Sequence, residues 1–116
     1  MTKQEIFDKV ARHLLTQGQT SEDADGGCMY RGPDGLRCAV GVLIPDEGYI
    51  PNMEHMSVMS SYFDRYLKSW GLSDHVLLLQ DLQETHDREL PDTWSDALRN
   101  VAAHHSLDTF VLAEFE

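Results

Sequence analysis

Apolar residues recur every three or four positions from Ile6 to Leu15, and that spacing predicts the first helix. Ile6, Phe7, Val10, Ala11, Leu14 and Leu15 fall on one face, covering about half the helix circumference. Thr2, followed three residues later by Glu5, forms a capping box at its start, and Gly18 supplies the stop. Residues 19–27 are polar throughout and predict a loop. Further along, Val58, Met59, Tyr62, Phe63, Tyr66 and Leu67 share the face of a helix predicted from about Ser57 to Trp70, ended by Gly71. Ser73 is placed to cap the next helix, which runs to about His86 with Leu78, Leu79 and Leu82 inward. Asp92 or Thr93 opens another, along which Trp94, Ala97, Leu98, Val101 and Ala102 form a stripe. In the tail, Leu107, Phe110 and Val111 suit a helix, while Thr109 to Leu112 also suits an edge strand.

One stretch predicts β structure. Pro33-Asp34-Gly35 is a turn signal, because proline presets the first turn angle and glycine accepts a positive φ. The expected result is a small hairpin near residues 28–38, with Cys28 and Cys38 roughly opposite each other. The following run, Cys38 to Ile44, ends at Pro45 and suits either a buried strand or a short helix. Residues 45–56 form an irregular connection. There are no internal repeats, low-complexity segments or credible domain boundaries, so residues 1–116 are expected to fold as a single domain. Its predicted class is mainly α with minor β: four to five helices, one hairpin, and a core joining Phe7, Leu14, Phe63, Leu82, Trp94 and Leu98.

An apolar content of 41% can supply that core. Charge narrows the range of partners, since 9 Lys and Arg stand against 20 Asp and Glu, a net of −11. That balance disfavours direct contact with nucleic acid or an anionic membrane surface, both of which reward clustered positive charge. The excess is uneven. Residues 1–72 carry ten acids and seven bases, whereas residues 73–116 carry ten acids against only Arg88 and Arg99. Such a surface keeps a protein soluble, and a concentrated acidic face also steers association with a basic partner. On the helix before Pro91, Asp74, Asp81 and Glu84 are expected to project together opposite the apolar arc. With Asp87, Asp92 and Asp96 they make up the candidate partner-binding set. No apolar run is long enough to span a bilayer, and Glu5, Asp8 and Arg12 interrupt any signal-peptide core. A soluble, cytoplasmic protein is expected.

The chemistry-bearing residues are few. Cys28 and Cys38 form neither a secreted disulfide framework nor a CxxC zinc pair, and two small, close, buried thiols are expected. Of the six histidines, His75 and His86 fall within the apolar arc of their helix, where a histidine usually bonds a backbone carbonyl. His104 and His105 are adjacent and should diverge by about 100°, toward different faces. HExxH is absent, so neither a metal nor another cofactor is expected. Gly26-Gly27 and Gly32-x-x-Gly35 match no phosphate-binding loop. Cys38, His86 and Asp87 supply the residue types of a nucleophile, base and orienting acid. A small thiol-dependent hydrolase is therefore the alternative to a non-enzymatic binding protein.

The stretch Cys28-Met-Tyr-Arg-Gly-Pro-Asp-Gly-Leu-Arg-Cys-Ala-Val-Gly-Val-Leu-Ile-Pro-Asp-Glu47, with Lys3 to Leu15 before it, resembles a group of short, functionally uncharacterised bacteriophage and prophage proteins. Leu82-Gln-x-x-His86-Asp87 and Trp94-x-x-x-Leu98 extend the resemblance over most of residues 3–102. It implies an accessory protein that binds a host protein. By size and charge it is also similar to anti-CRISPR-type inhibitors of bacterial defence complexes, some of which imitate DNA. The implied partner is a basic host protein or defence complex in the host-cell cytoplasm.

Overall fold

Thr2 opens the first helix as its spacing with Glu5 requires. Its Oγ accepts from the Glu5 backbone N–H at 3.1 Å, while its own N–H donates to the Glu5 carboxylate at 2.8 Å. In this computed structural model, which describes residues 1–116, the helix α1 spans Lys3–Gln17. It ends where Gly18 takes φ 67° and donates its N–H to Leu14 O. Three further helices follow: α2 (Ser61–Ser69), α3 (Val76–Arg88) and α4 (Trp94–His104). Seven short 3-10 turns make up the remaining helical structure. The chain is mainly helical, and no helix is long and apolar enough to cross a membrane.

The predicted hairpin over residues 28–38 is absent. Only single bridges form there, Glu22 with Cys28 and Arg31 with Arg37, and Pro33–Gly35 is a 3-10 turn. The chain does reverse at Pro33-Asp34-Gly35, with Asp34 at φ 60° and Gly35 at φ 80°. A ladder does not extend because the Tyr30–Cys38 pair is only half made: the Cys38 N–H reaches the Tyr30 carbonyl, but the Tyr30 N–H goes to Glu54 and the Cys38 carbonyl accepts the Val42 N–H. The Glu54 carboxylate accepts the N–H groups of Tyr30 and Arg31 at 2.7 and 3.0 Å. Gln17 accepts the Arg37 N–H and also donates to the Arg37 carbonyl. The run after Cys38 is neither a strand nor a full helix. It packs Cys38, Ala39, Val40, Leu43 and Ile44 inward around a 3-10 turn at Gly41–Leu43. A Cβ on Gly41 would stand 1.9 Å from the Tyr30 carbonyl oxygen, so no larger residue fits this approach.

Helix boundaries moved where side chains compete for the backbone. The helix predicted from Ser57 begins only at Ser61, because Ser57 Oγ accepts the Met59 N–H and Ser60 caps Phe63. Val58 is buried outside the helix, while Met59 and Tyr62 are exposed. Ser73 does not cap α3; its hydroxyl donates to Asp64 at 2.6 Å, and Ser73–His75 is a separate 3-10 turn. The tail forms a 3-10 segment, Phe110–Phe115, laid on α1 with Val111 and Leu112 buried and Arg12 paired to Glu114. Phe7, Leu14, Phe63, Leu82, Trp94 and Leu98 are all completely buried in one cluster.

Candidate functional site

Helix α3 organises the chemistry, because it contributes to two titratable clusters. Toward the N-terminal half of the chain, His86 is fully buried and stacks on Trp94 at 5.8 Å. The Ser21 backbone N–H donates to its Nε2 at 2.9 Å. Nε2 therefore carries no proton, so the ring proton sits on Nδ1 and is donated to Asp87 Oδ1 at 2.7 Å. Gln83 completes the network, accepting the Val40 N–H at 3.0 Å and donating to Asp87 at 2.9 Å.

The cysteine beside this pair is Cys28, not Cys38. Cys28, His86 and Asp87 place a thiol, an imidazole nitrogen and a carboxylate within 4.8 Å of one another. Cys38 lies outside that trio and is buried, its sulfur accepting the Gly41 N–H at 3.3 Å. The expectation of two buried thiols fails for Cys28, which is exposed, although both cysteines are free. The Cys28 thiol is pushed up to about 12 by desolvation and by the adjacent Asp87 carboxylate. Burial pushes Cys38 up to about 12 as well, against the opposing bonds from Gly41 and Gln83. Burial works against Asp87 too, yet the hydrogen bonds from His86 and Cys28 outweigh it and hold the carboxyl below its ordinary 3.8. A carboxylate next to a thiol stabilises the protonated sulfur, the reverse of nucleophile activation. Nor can Ser21 take that role, since it is fully buried and offers His86 its backbone N–H.

The acidic set is divided. Asp74 lies in the 3-10 turn preceding α3, so the helical step that was to align it with Asp81 and Glu84 does not apply. Asp92 lies in the turn before α4, and Asp96 in the first turn of α4. Asp92 and Asp96 thus stand near the positive end of a helix dipole, which accounts for acids there without a partner. Asp81, Glu84 and Asp87 remain on α3 and line two adjoining hollows. One, of about 260 Å³, is bordered by Cys28, Glu54, Gln83, Glu84, Asp87 and Arg88. The other, of about 270 Å³, is bordered by Asp81, Glu84, Arg88, Glu89, Asn100 and His104. Glu84 and Arg88 form the ridge between them. Arg88 makes no ion pair. Glu54 and Glu89, which sequence reasoning omitted, join this face because a distant turn and the end of α3 deliver them. No local pattern announces either.

At the far edge of the second hollow, the expected divergence of His104 and His105 is also overturned. Their rings lie 5.1 Å apart, edge to face, and His105 Nε2 bonds Asp81 Oδ2 at 2.7 Å. The helical step ends at His104. His105 and Ser106 continue into a left-handed stop, with Ser106 at φ 58° and the Leu107 N–H on Ala102 O. Comparison with protein-family models, curated proteins and solved structures gives no match.

Proposed function

We propose that the chain is a non-enzymatic binding protein that engages a basic partner through the exposed side of α3. One observation carries this reading. Glu54, Asp81, Glu84, Asp87 and Glu89 line two contiguous hollows that contain a single arginine, itself without an ion pair. Five carboxylates around concave surface concentrate negative potential and favour lysine or arginine side chains entering the hollows. The resemblance to phage proteins adds that the partner is a host protein, such as a basic nucleic-acid channel of a defence complex that the acidic face would occupy. The alternative, thiol-dependent hydrolysis at Cys38 with His86 and Asp87, gains no support from a fully buried sulfur that is not part of the Cys28–His86–Asp87 trio and a histidine with both ring nitrogens bonded.

The test uses the tagged full chain against bacterial lysate, followed by titration of the captured protein. Glu84→Gln with Glu89→Gln should weaken binding by about ten-fold or more while leaving the far-ultraviolet dichroism unchanged. Wild-type binding should also weaken steeply from low to physiological salt. Binding that survives both changes would place the interface elsewhere.

A further inference from the structure

We propose that Asp81, His104 and His105 hold a divalent transition metal of the zinc type, at a site that shares Asp81 and the second hollow with the partner reading above but does not rest on it. Three potential ligand atoms, one from each side chain, already lie within 4.8 Å of one another. Two imidazoles and one carboxylate match the donor preference of Zn²⁺, Co²⁺ and Ni²⁺, and not the all-oxygen preference of Ca²⁺ or Mg²⁺. Tetrahedral coordination with bonds of about 2.0–2.1 Å needs ligand atoms about 3.3 Å apart, so only modest closure is required. His104 can provide it, being exposed and free of any hydrogen bond. His105 is already aimed at Asp81 by its Nε2 bond, which an ion would replace by ligating both atoms.

The site is held from two sides. Asp81 sits within α3, and the histidines sit at the C-terminal end of α4, where the helix dipole favours a cation. Its open side faces the hollow of about 270 Å³, leaving a fourth position for water or an incoming side chain.

The other cluster of metal-binding residue types fails the same test. At Cys28, His86 and Asp87, the Ser21 N–H points at His86 Nε2 and Asp87 takes the proton on Nδ1. Neither ring nitrogen is free, and ligation through Nδ1 would strip the proton that Asp87 accepts. At the Asp81 cluster, only the Asp81–His105 bond must be given up.

Zinc titrated calorimetrically into the metal-free full chain should bind at one site per chain, and Co²⁺ should give the visible absorption of a low-coordinate complex. His104→Ala, at a position too exposed to affect folding, should weaken Zn²⁺ binding by about ten-fold or more, as should Asp81→Asn. Cys28→Ser and His55→Ala should leave binding unchanged. Weakening of less than ten-fold in His104→Ala, failure of the wild-type chain to bind, or loss of binding in Cys28→Ser would each overturn the assignment.

Discussion

Helix α3 presents two clusters of nearly the same chemical composition that have opposite characters. At Cys28, His86 and Asp87 every strong donor and acceptor of the imidazole has a partner, and the ring is completely buried against Trp94. At Asp81, His104 and His105 one hydrogen bond is made, and one ring stands in solvent. Residue type does not separate them. The difference lies in what approaches the histidine: a backbone N–H from the loop at Ser21 in one case, an open hollow in the other. A histidine beside a carboxylate is a structural tie when its second nitrogen is spoken for, and an available ligand when it is not.

That contrast can be broken most severely at Leu82, which is fully buried on α3 between the residues that build the two clusters. Leu82→Ala should cost about 2–5 kcal/mol in urea unfolding. A loss below about 1 kcal/mol would mean that α3 does not anchor either side. Next in size is the direct contrast. His86→Ala strands the Ser21 N–H and opens a void beside Trp94, and should cost on the order of 3 kcal/mol. His104→Ala should change stability by no more than about 0.5 kcal/mol in the absence of metal. Similar losses at the two histidines would erase the distinction.

A smaller effect sharpens it by pH. Because the Asp87 carboxyl sits below its ordinary 3.8 in the fold, its carboxylate form is the one the structure favours. Its contribution is therefore fully present above the ordinary carboxylate range and is lost as pH falls through the depressed value. Asp87→Asn should lower stability at neutral pH and make the acid limb of a stability–pH curve shallower. An acid limb identical to that of the wild-type chain would show that Asp87 is not bound as described.

The core and the capped start of α1 were legible because both are local patterns. The periodicity of Phe7, Leu14, Phe63, Leu82 and Leu98 places them inward in any packing of these helices, and Thr2 with Glu5 acts within one turn. The hairpin was misread for a reason that a turn signal does not carry: Glu54, about twenty residues away, takes the Tyr30 N–H that a longer ladder would use, and the Val42 N–H takes the Cys38 carbonyl opposite it. The site was misread likewise. His86 and Asp87 were recognised as a pair, but Cys28 replaces Cys38 because the loop from Ser21 folds back onto α3. His104 and His105 were sent apart by extending a helical step past the helix's end. Ser106 followed by Leu107 was the available signal, weak because serine seldom holds the left-handed position that Gly71 holds after α2.

The last and smallest effect is kinetic, and it concerns the closed cluster alone. Cys28 is exposed, so access alone predicts fast reaction with a disulfide reagent. Its thiol, however, is pushed from an ordinary 9.0 up to about 12, which lowers the thiolate fraction at mildly alkaline pH by about a thousand-fold. Both cysteines should therefore react slowly in the native chain and rapidly after denaturation, for different reasons. Cys38 waits for opening of the core, so its rate should track unfolding and rise in Leu82→Ala. Cys28 waits for a thiolate, so its rate should rise with pH in the folded protein. Asp87→Asn should accelerate Cys28 by less than the full thousand-fold, because desolvation, the larger cause, persists. A Cys28 that reacts as fast as a free thiol in the native wild-type chain would detach it from Asp87. The cluster beside His86 would then be as open as its counterpart at His104.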